Sequence, residues 1–340
     1  MKGGAVSRGL ERVLPHLYGT AEAAAFLGLC ATAASLFAPL HWGCDALSHF
    51  HAILAGAFLL YTPIEWVRRR PLLLAASLVC ALLNIWPVAS LFFSQVPPAP
   101  DLSAASPGQS RLRLLQANIL TSNLHPERLL ALIGREDPDV ILLQETGRRW
   151  LNALLPLHRR YPVHAEVARE DNFGIAVFAK AESARASIFY PDDPVRGPAG
   201  RIDLKIAGRD LSLFSVHTPA PFDRESWIGR DRYTLALARY LAPLPGLKIV
   251  TGDFNNTPWN PLIRDFARKS RLLDSTRQCG ILPTWPVKTL PFLRIPLDQA
   301  FHSPTIRLLR KERGPDIGSD HFPLLLDFAI APCPQPGERE

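Results

Sequence analysis

The chain has 340 residues, of which 47% are hydrophobic, so it is large enough to bury a substantial core in about one to three domains. Its formal net charge of +7 favours acidic partners such as nucleic acid, phosphorylated molecules or an anionic membrane surface, but no basic tail singles out nucleic acid. The five cysteines include no CxxC pair, which excludes a cysteine-rich zinc site of the usual spacing; whether Cys279 and Cys333 pair stays open.

Residues 1–96 hold three apolar segments, at residues 23–40, 51–66 and 71–96. The first and third carry no charge and are long enough to span a bilayer. The second is a weaker candidate, because its apolar core is short and polar residues crowd its start. A signal peptide is the alternative for the first segment, but further apolar segments follow it and no small-x-small cleavage pattern ends it.

Positive residues decide between two and three spans. Lys2, Arg8 and Arg12 precede the first segment, and residues 68–70 are an arginine triplet between the second and third. Because positive residues stay on the cytoplasmic side, two spans would place the triplet wrongly in a translocated loop. We therefore predict three transmembrane helices within residues 1–96 and a periplasmic or extracellular C-terminal domain.

The composition changes after the apolar segments. Residues 97–110 are rich in Pro and Ser and are typical of an extended linker. Beyond them, strands are predicted at residues 111–120, 139–146, 173–180, 201–207, 211–217, 247–254, 297–303 and 322–330, and helices at residues 125–137, 224–244 and 260–270. Since strands outnumber helices, the pattern predicts two packed sheets covered by helices rather than a strict βαβ alternation.

Polar residues stand at the ends of these apolar runs, where an α/β sheet presents its chemistry. Those that follow a run are Asn118, Gln144, Glu145, His217, Asp253 and Asn255, and those at the entry to a run are Asp298, Asp320 and His321. Taken singly, each has an ordinary explanation as a strand-end turn, a helix cap or a structural histidine. Taken together they favour a site, because ionised carboxylates are rarely buried without a partner or a metal.

The chemistry of this set favours attack by water on a phosphate ester. Glu145, Asn118 and Asp320 offer the hard oxygen ligands that suit Mg²⁺ or Mn²⁺. The two histidines and a further carboxylate suit general acid–base work, and Asn255 can hold a phosphoryl oxygen or the attacking water. No Ser, Cys or Lys nucleophile motif is recognisable, so direct hydrolysis is the simpler mechanism.

An ordered set of motifs resembles the deoxyribonuclease I-like endonuclease/exonuclease/phosphatase superfamily: QANIL, LLQET, DNFGIAVFAK, SVHTP, TGDFNNTP, PLDQAF and GSDHFPLLLDF. The resemblance covers about residues 111–330, and the Thr-Trp-Pro before Asp298 is similar to a membrane-anchored bacterial branch. It implies an α/β fold, a four-layer sandwich of two packed sheets flanked by helices, over residues 111–331, with a tail at residues 332–340. N-terminal transmembrane helices would hold this domain at the bacterial inner membrane.

The resemblance also implies Mg²⁺-dependent hydrolysis of phosphoesters. Glu145 looks like the principal metal ligand, with Asn118 and Asp320 beside it. Some nucleases of the family carry an Asp two residues after the strand-one Asn, where this chain has Leu120. The missing Asp argues against a close match to the abasic-site repair branch.

The remaining roles follow from the same resemblance. Asp253 would orient or activate the water, and Asn255 would bind the scissile phosphate. His321, held by Asp298, would contact the phosphate or act as acid–base catalyst. His217 would be the second acid–base histidine.

Three functions are open at this point. The first is a membrane-anchored, metal-dependent phosphodiesterase or phosphatase acting on phospholipid head groups, extracellular nucleic acid or phosphorylated metabolites, with no protein partner inferred. The second is a nuclease acting on DNA or RNA. Its candidate phosphate contacts, for which solvated surface is the simpler explanation, are Arg148, Arg149, Arg224, Arg230 and Arg232. The third, an inactive scaffold or sensor, is disfavoured because no residue of the core set is lost.

Overall fold

The computed structural model of the chain describes residues 3–93, 110–192 and 197–332, with side chains at His16 and from Tyr18 onward. The chain divides into two compact units, Met1–Ser90 and Leu91–Glu340. The linker predicted at residues 97–110 and the tail predicted at residues 332–340 lie almost wholly outside the described residues, as does Cys333.

The described part of the N-terminal unit is helical. Its helices are α1 (Gly3–Ser35), α2 (Trp42–Ser48), α3 (His51–Val67) and α4 (Pro71–Phe93). Among the described helices, α4 is the one that is long and apolar enough to cross a membrane by itself, and α2 with α3 meets the same criterion as a pair bent by 61°. The helix α1 ends at Ser35, whereas the first apolar segment runs to residue 40, so this helix covers only part of the predicted span. The three-span topology therefore stays a prediction.

Polar side chains connect three of these helices. Asn84 Oδ1 lies 2.8 Å from His51 Nδ1, and Asn84 Nδ2 donates to Thr32 Oγ1 at 2.8 Å. All three residues are buried, and such hydrogen bonds between apolar helices fix how the helices pack. Glu22 of α1 accepts hydrogen bonds from two arginines of the triplet at residues 68–70. The start of the first apolar segment therefore lies at the same end of the unit as the turn between α3 and α4.

The C-terminal unit is built on two six-stranded sheets. The first contains β1 (Ser110–Asn118), β2 (Val140–Gln144), β3 (Val163–Val167), β4 (Ile175–Ala179), β11 (Ile306–Arg313) and β12 (Leu324–Ile330), in the order β11-β12-β1-β2-β4-β3. The second contains β5 (Arg185–Phe189), β6 (Ala199–Ile206), β7 (Arg209–His217), β8 (Leu247–Asp253), β9 (Leu273–Asp274) and β10 (Asp298–His302), in the order β5-β6-β7-β8-β10-β9. The helices are α5 (Pro126–Glu136), α6 (Arg148–Leu154), α7 (Arg224–Leu241), α8 (Pro261–Ser270) and α9 (Thr276–Cys279), with a 3₁₀ helix at Leu155–Arg159.

Apolar side chains fill three layers of this unit. One layer lies between the sheets and combines residues of both, including Leu114 and Ile249. The alternate residues of the strands face outward, and Leu115 packs with Trp150 of α6 on the first sheet. Phe266 of α8 packs on the outer face of the second sheet. The prediction of two packed sheets flanked by helices is confirmed.

The polar residues that the sequence analysis singled out lie at one end of the strands in each sheet. The central pairs β1–β2 and β7–β8 are parallel, which places Asn118 beside Gln144 and His217 beside Asp253. The strand β10 runs antiparallel to β8, so its first residue, Asp298, also lies opposite Asp253. The segment before β12 returns to this edge because β12 is antiparallel to β1.

Candidate active site

Asn118 connects carboxylates from the two sheets. Its Nδ2 donates to Glu145 Oε1 at 2.8 Å and to Asp253 Oδ2 at 3.1 Å. Its Oδ1 accepts the N–H of Leu120 at 3.1 Å, which fixes the amide in this orientation. All three site residues are buried. The structure thus brings the ends of β1, β2 and β8 together around two carboxylates.

Both predicted histidines face these carboxylates. His217 Nε2 lies 3.8 Å from Glu145 Oε1 and 3.7 Å from Asp253 Oδ2. His321 Nε2 lies 3.5 Å from Asp253 Oδ2. Asp253 therefore stands between two imidazole rings, an arrangement that suits proton transfer at a reacting group.

Asp298 holds His321 from the other side. His321 Nδ1 donates to Asp298 Oδ2 at 2.7 Å. Burial alone would raise the pKa of Asp298, but the charge and hydrogen bond of His321 outweigh it and hold that pKa below its usual value. Burial likewise opposes protonation of His321, but Asp298 and Asp253 raise the pKa of His321 to about 10.

A chain of buried amides and a hydroxyl lies beneath this pair. Gln116 Nε2 donates to Asp298 Oδ1 at 2.9 Å and to Gln144 Oε1 at 2.7 Å, and Gln144 Nε2 donates to Ser215 Oγ at 2.7 Å. Buried polar groups need such partners to offset lost hydration. Gln116 was not singled out in the sequence; its signal is a polar residue inside the apolar run of β1.

Ser319 is a second supporting residue that the sequence reading missed. Its hydroxyl donates to Asn118 O at 2.8 Å and accepts the N–H of His321 at 3.1 Å. It therefore joins the end of β1 to the segment that carries His321. The Gly-Ser-Asp-His motif contained this residue, but its role depends on a contact between distant segments.

Asn255 lies on the turn after β8. Its Nδ2 donates to Thr218 O at 2.8 Å and lies 3.4 Å from His217 Nε2, while its N–H donates to Asp253 Oδ1 at 2.8 Å. The last bond forms an Asx-turn, which is an example of the strand-end turn that the sequence allowed. The alternative of a helix cap is wrong, because the N-cap of α8 is Asn260, whose side chain accepts from the N–H of Leu262.

Three non-glycine residues of the site have a left-handed backbone. The φ angles are +63° at Glu145, +59° at Leu120 and +44° at Asn255. This region is unfavourable for residues with a Cβ, and proteins retain it mainly where surrounding contacts impose it, as at active sites. The sharp turn at Glu145 lets its side chain face Asn118 although β2 ends one residue earlier.

Asp320 has a different environment from the other predicted ligands. Its Oδ2 accepts from Trp285 Nε1 at 3.0 Å, and its Oδ1 is buried without a hydrogen-bond partner among the described residues. No hydrogen bond or ion pair in the described part of the chain joins Asp320 to Glu145 or Asn118. Its role as a ligand stays a prediction.

The charges of the site fit a cation. Burial raises the pKa of Glu145 and of Asp253, each opposed by a neighbouring histidine, which shows that two carboxylates here lack full compensation. Within the described residues, both pair with histidines and with no Lys or Arg. A divalent ion held by oxygen ligands would supply the missing positive charge. The donor set of Glu145 and its neighbours therefore fits a metal.

The sequence profile of the Endonuclease/Exonuclease/phosphatase family matches residues 115–321. None of the curated proteins compared with the chain matches it. Solved structures also match the chain, among them the following three.

The structure of TDP2 from D. rerio complexed with a single-strand DNA product is 17% identical and covers 64% of this chain and 99% of that chain, with a TM-score of 0.54. An endonuclease/exonuclease/phosphatase from Bacteroides vulgatus is 18% identical, with a coverage of 65% and 99% and a TM-score of 0.54. A functionally unknown conserved protein from Enterococcus faecalis is 16% identical, with a coverage of 64% and 100% and a TM-score of 0.53. At these identities the likeness shows the fold.

Proposed function

Because the chain belongs to the Endonuclease/Exonuclease/phosphatase family and is accordingly a hydrolase of phosphate esters, we propose that it is a membrane-anchored, divalent-metal-dependent phosphoesterase. In this proposal water attacks a phosphodiester or a phosphomonoester. The observation that carries it is the meeting of Glu145, Asp253, His217 and His321 at one edge of the packed sheets. Among the described contacts of these four residues there is no Cys or Lys, and the hydroxyl of Ser319 is engaged by Asn118 O and by the N–H of His321, which supports direct attack by water.

We propose Mg²⁺ or Mn²⁺ as the cofactor. Glu145 would be its principal ligand, with Asp320 contributing an oxygen atom. Asn118 would contribute its Oδ1 only after its amide turned over, because its Nδ2 now faces the carboxylates and its Oδ1 accepts the N–H of Leu120. When bound, such an ion neutralises charge on the phosphoryl group and makes water more acidic. The two undercompensated carboxylates and the orphaned Asp320 Oδ1 support this assignment.

The protein side chains would position water and phosphate. The carboxylate of Asp253 is fixed by Asn118 Nδ2 and by the N–H of Asn255, so it presents a defined oxygen to an attacking water. His321 donates Nδ1–H to Asp298, which leaves Nε2 for the phosphate or the leaving group. His217 faces the same space from β7 and is the second acid–base group.

A nuclease is the second candidate, and one observation favours it. Arg148 and Arg149 are exposed at the start of α6, three and four residues after Glu145. Two cations so close to the site in sequence suit the neighbouring phosphates of a nucleic acid strand. Arg230, by contrast, is buried. It can therefore be neither an exposed phosphate contact nor a solvated surface residue.

We propose the bacterial inner membrane as the location, with three spans and a periplasmic or extracellular domain. The apolar helix α4 and the bent pair of α2 and α3 support anchoring by their length and composition. The contact of Glu22 with the arginines at residues 68–70 supports the topology, because it places two ends predicted to be cytoplasmic side by side.

A substrate panel tests the proposed function. The full-length chain, purified in detergent, is incubated with DNA, RNA, phospholipid vesicles or phosphorylated sugars in Mg²⁺, and each reaction is repeated with EDTA. We expect EDTA-sensitive hydrolysis of at least one class, and hydrolysis of none in Mg²⁺ or Mn²⁺ would refute the proposal. A steep fall of the rate with salt would identify a nucleic acid substrate, since phosphate contacts release counterions.

A further inference from the structure

A second group of metal-type ligands lies on the first sheet, away from the residues assigned above. It consists of His158, at the end of the 3₁₀ helix, and of His164 and Glu166 on β3. One ligand atom from each of the three residues lies within 4.8 Å of the others. We propose that these residues form a binding site for a transition-metal ion of the Zn²⁺ type.

The backbone brings the three side chains to one place for simple reasons. His164 and Glu166 are two residues apart on a strand, so they point to the same face. The segment that carries His158 is anchored by Tyr161, whose hydroxyl donates to Pro138 O at 2.8 Å and whose N–H donates to Leu157 O at 2.8 Å. The positions of the ligand-bearing backbones are therefore set by packing and not by the ligands themselves.

The contacts already converge on Glu166. His158 Nε2 lies 2.8 Å and His164 Nδ1 lies 3.6 Å from the same carboxylate oxygen, Oε1. The two imidazole rings stack with centroids 3.9 Å apart and 14° between their planes. A cation bound in the plane of both rings requires one ring to turn out of this stack. The side chain of His164 is 32% exposed, so solvent borders the ring that would turn.

Donor chemistry selects the ion. Two imidazoles and one carboxylate are the three-ligand set of many zinc sites with an open position, and imidazole suits Zn²⁺, Cu²⁺ and Ni²⁺ rather than Mg²⁺. All three side chains are partly accessible, so water can complete the coordination. The buried Phe178 lies behind both rings, with centroid distances of 6.1 and 6.0 Å, and closes the inner side of the site.

A bound ion would brace the turn that carries Glu145. The strand β3 ends beside Thr146, whose hydroxyl donates to Val167 O at 3.3 Å and whose carbonyl accepts the N–H of Arg169 at 3.1 Å. The strand that carries His164 and Glu166 thus ends next to the path that leaves β2. The ion would stabilise the folded state by binding it in preference to the unfolded chain.

Zinc titration of the full-length chain in detergent tests this site. Saturating Mg²⁺ is included to occupy oxygen-rich sites, so that Zn²⁺ does not bind there. Mg²⁺ does not compete for the proposed site, because imidazole is a poor ligand for it. We expect tight Zn²⁺ binding by the wild type, with affinity reduced at least about tenfold in His158→Gln, His164→Gln and Glu166→Gln. His125→Gln is the matched control, because His125 forms a similar pair with Glu127 at 3.0 Å but without a second histidine.

Three measurements that do not depend on catalysis report the result. Isothermal titration reports affinity, and the visible absorption of Co²⁺ reports imidazole ligation. Zn²⁺ should also raise the unfolding temperature of the wild type and of His125→Gln, but not of His164→Gln. Equal binding by wild type and all three ligand variants, or loss of binding only in His217→Gln, would overturn the site while leaving the proposed hydrolase untouched.

Discussion

His321 Nδ1 lies 2.7 Å from Asp298 Oδ2, and this contact joins the segment before β12 to the first residue of β10. Gln116 Nε2 holds the other carboxylate oxygen at 2.9 Å, so both oxygens of Asp298 are engaged by buried groups. The imidazole is thereby fixed with Nε2 toward Asp253. A hydrogen bond to one ring nitrogen sets what the other nitrogen can do.

Asp298→Asn keeps the shape of the side chain but removes the charge that orients His321. We expect kcat on a diester substrate to fall about 100-fold, the lower range for a disturbed acid–base group, with KM nearly unchanged. Asp327→Asn is the control, because Asp327 is also buried and pairs with Arg111 at 2.5 Å. That variant should lose stability but keep its kcat. Steady-state kinetics that show wild-type kcat in Asp298→Asn would contradict the positioning role.

Glu145→Gln should weaken metal binding and lower the metal-dependent turnover. The amide is isosteric and leaves the turn in place, but it binds a divalent cation less well than a carboxylate does. We expect turnover at saturating Mg²⁺ to fall about 100-fold or more, as for loss of metal-assisted hydrolysis. Glu170→Gln is the matched control, since Glu170 is exposed and accepts the N–H of Arg148 at 2.8 Å. An Mg²⁺ titration that is the same for wild type and Glu145→Gln would rule out this ligand.

The strands that the sequence predicted are the inner strands of the two sheets. The strands β2 and β8 are buried at every position because helices cover one face and the other sheet covers the second. The four edge strands, β3, β5, β9 and β11, were missed. In β3 and β11 the alternation of partly buried and exposed residues includes histidines and arginines, and such patterns resemble charged loops or helices.

The site residues also fall into those that the sequence predicted and those that it did not. Residues at strand ends were recognisable because carboxylates and histidines interrupt apolar runs at the edge where chemistry occurs. Gln116 and Ser319 were not, because their roles come from hydrogen bonds between segments about 180 and 200 residues apart in sequence. The bond from Trp285 to Asp320 likewise depends on how a loop returns to the sheet, which no local pattern encodes.

Gly252→Ala should destabilise the C-terminal unit strongly. At Gly252, φ is +152° and an added Cβ would lie 1.9 Å from Val216 O, so the parallel pair of β7 and β8 must separate. We expect a loss of at least about 3 kcal/mol, the range of severe backbone and packing conflicts. Gly208→Ala is the control, since Gly208 has φ +74° but no atom within 4 Å of the added Cβ. It should cost only about 1–2 kcal/mol for the left-handed backbone. Urea unfolding curves with equal midpoints for the two variants would disprove the close-approach argument.

Glu136 gives the fold an acid-sensitive contact between α5 and β11. Arg310 NH1 lies 3.0 Å from Glu136 Oε2, and the carboxylate is only 15% exposed. Burial would raise the pKa of Glu136, but hydrogen bonds from Arg310 and Arg135 outweigh burial and lower it. A lowered pKa in the folded state means that the stabilisation is present above the unfolded pKa of about 4.3 and is lost as the pH falls through the folded value.

Glu136→Gln should therefore be less stable than the wild type by about 0.5–1 kcal/mol at neutral pH, as for a partly screened pair. The difference should shrink below about pH 4, where the wild-type carboxylate takes up its proton. Glu312→Gln is the matched control, because Glu312 binds the same Arg310 at 2.8 Å while its side chain is 60% exposed. Solvent screens that pair, so its removal should change stability less at every pH. Urea unfolding between acid and neutral pH measures the stability of both variants. If Glu136→Gln were less stable than the wild type by the same amount in acid, the contact would depend on shape and not on charge.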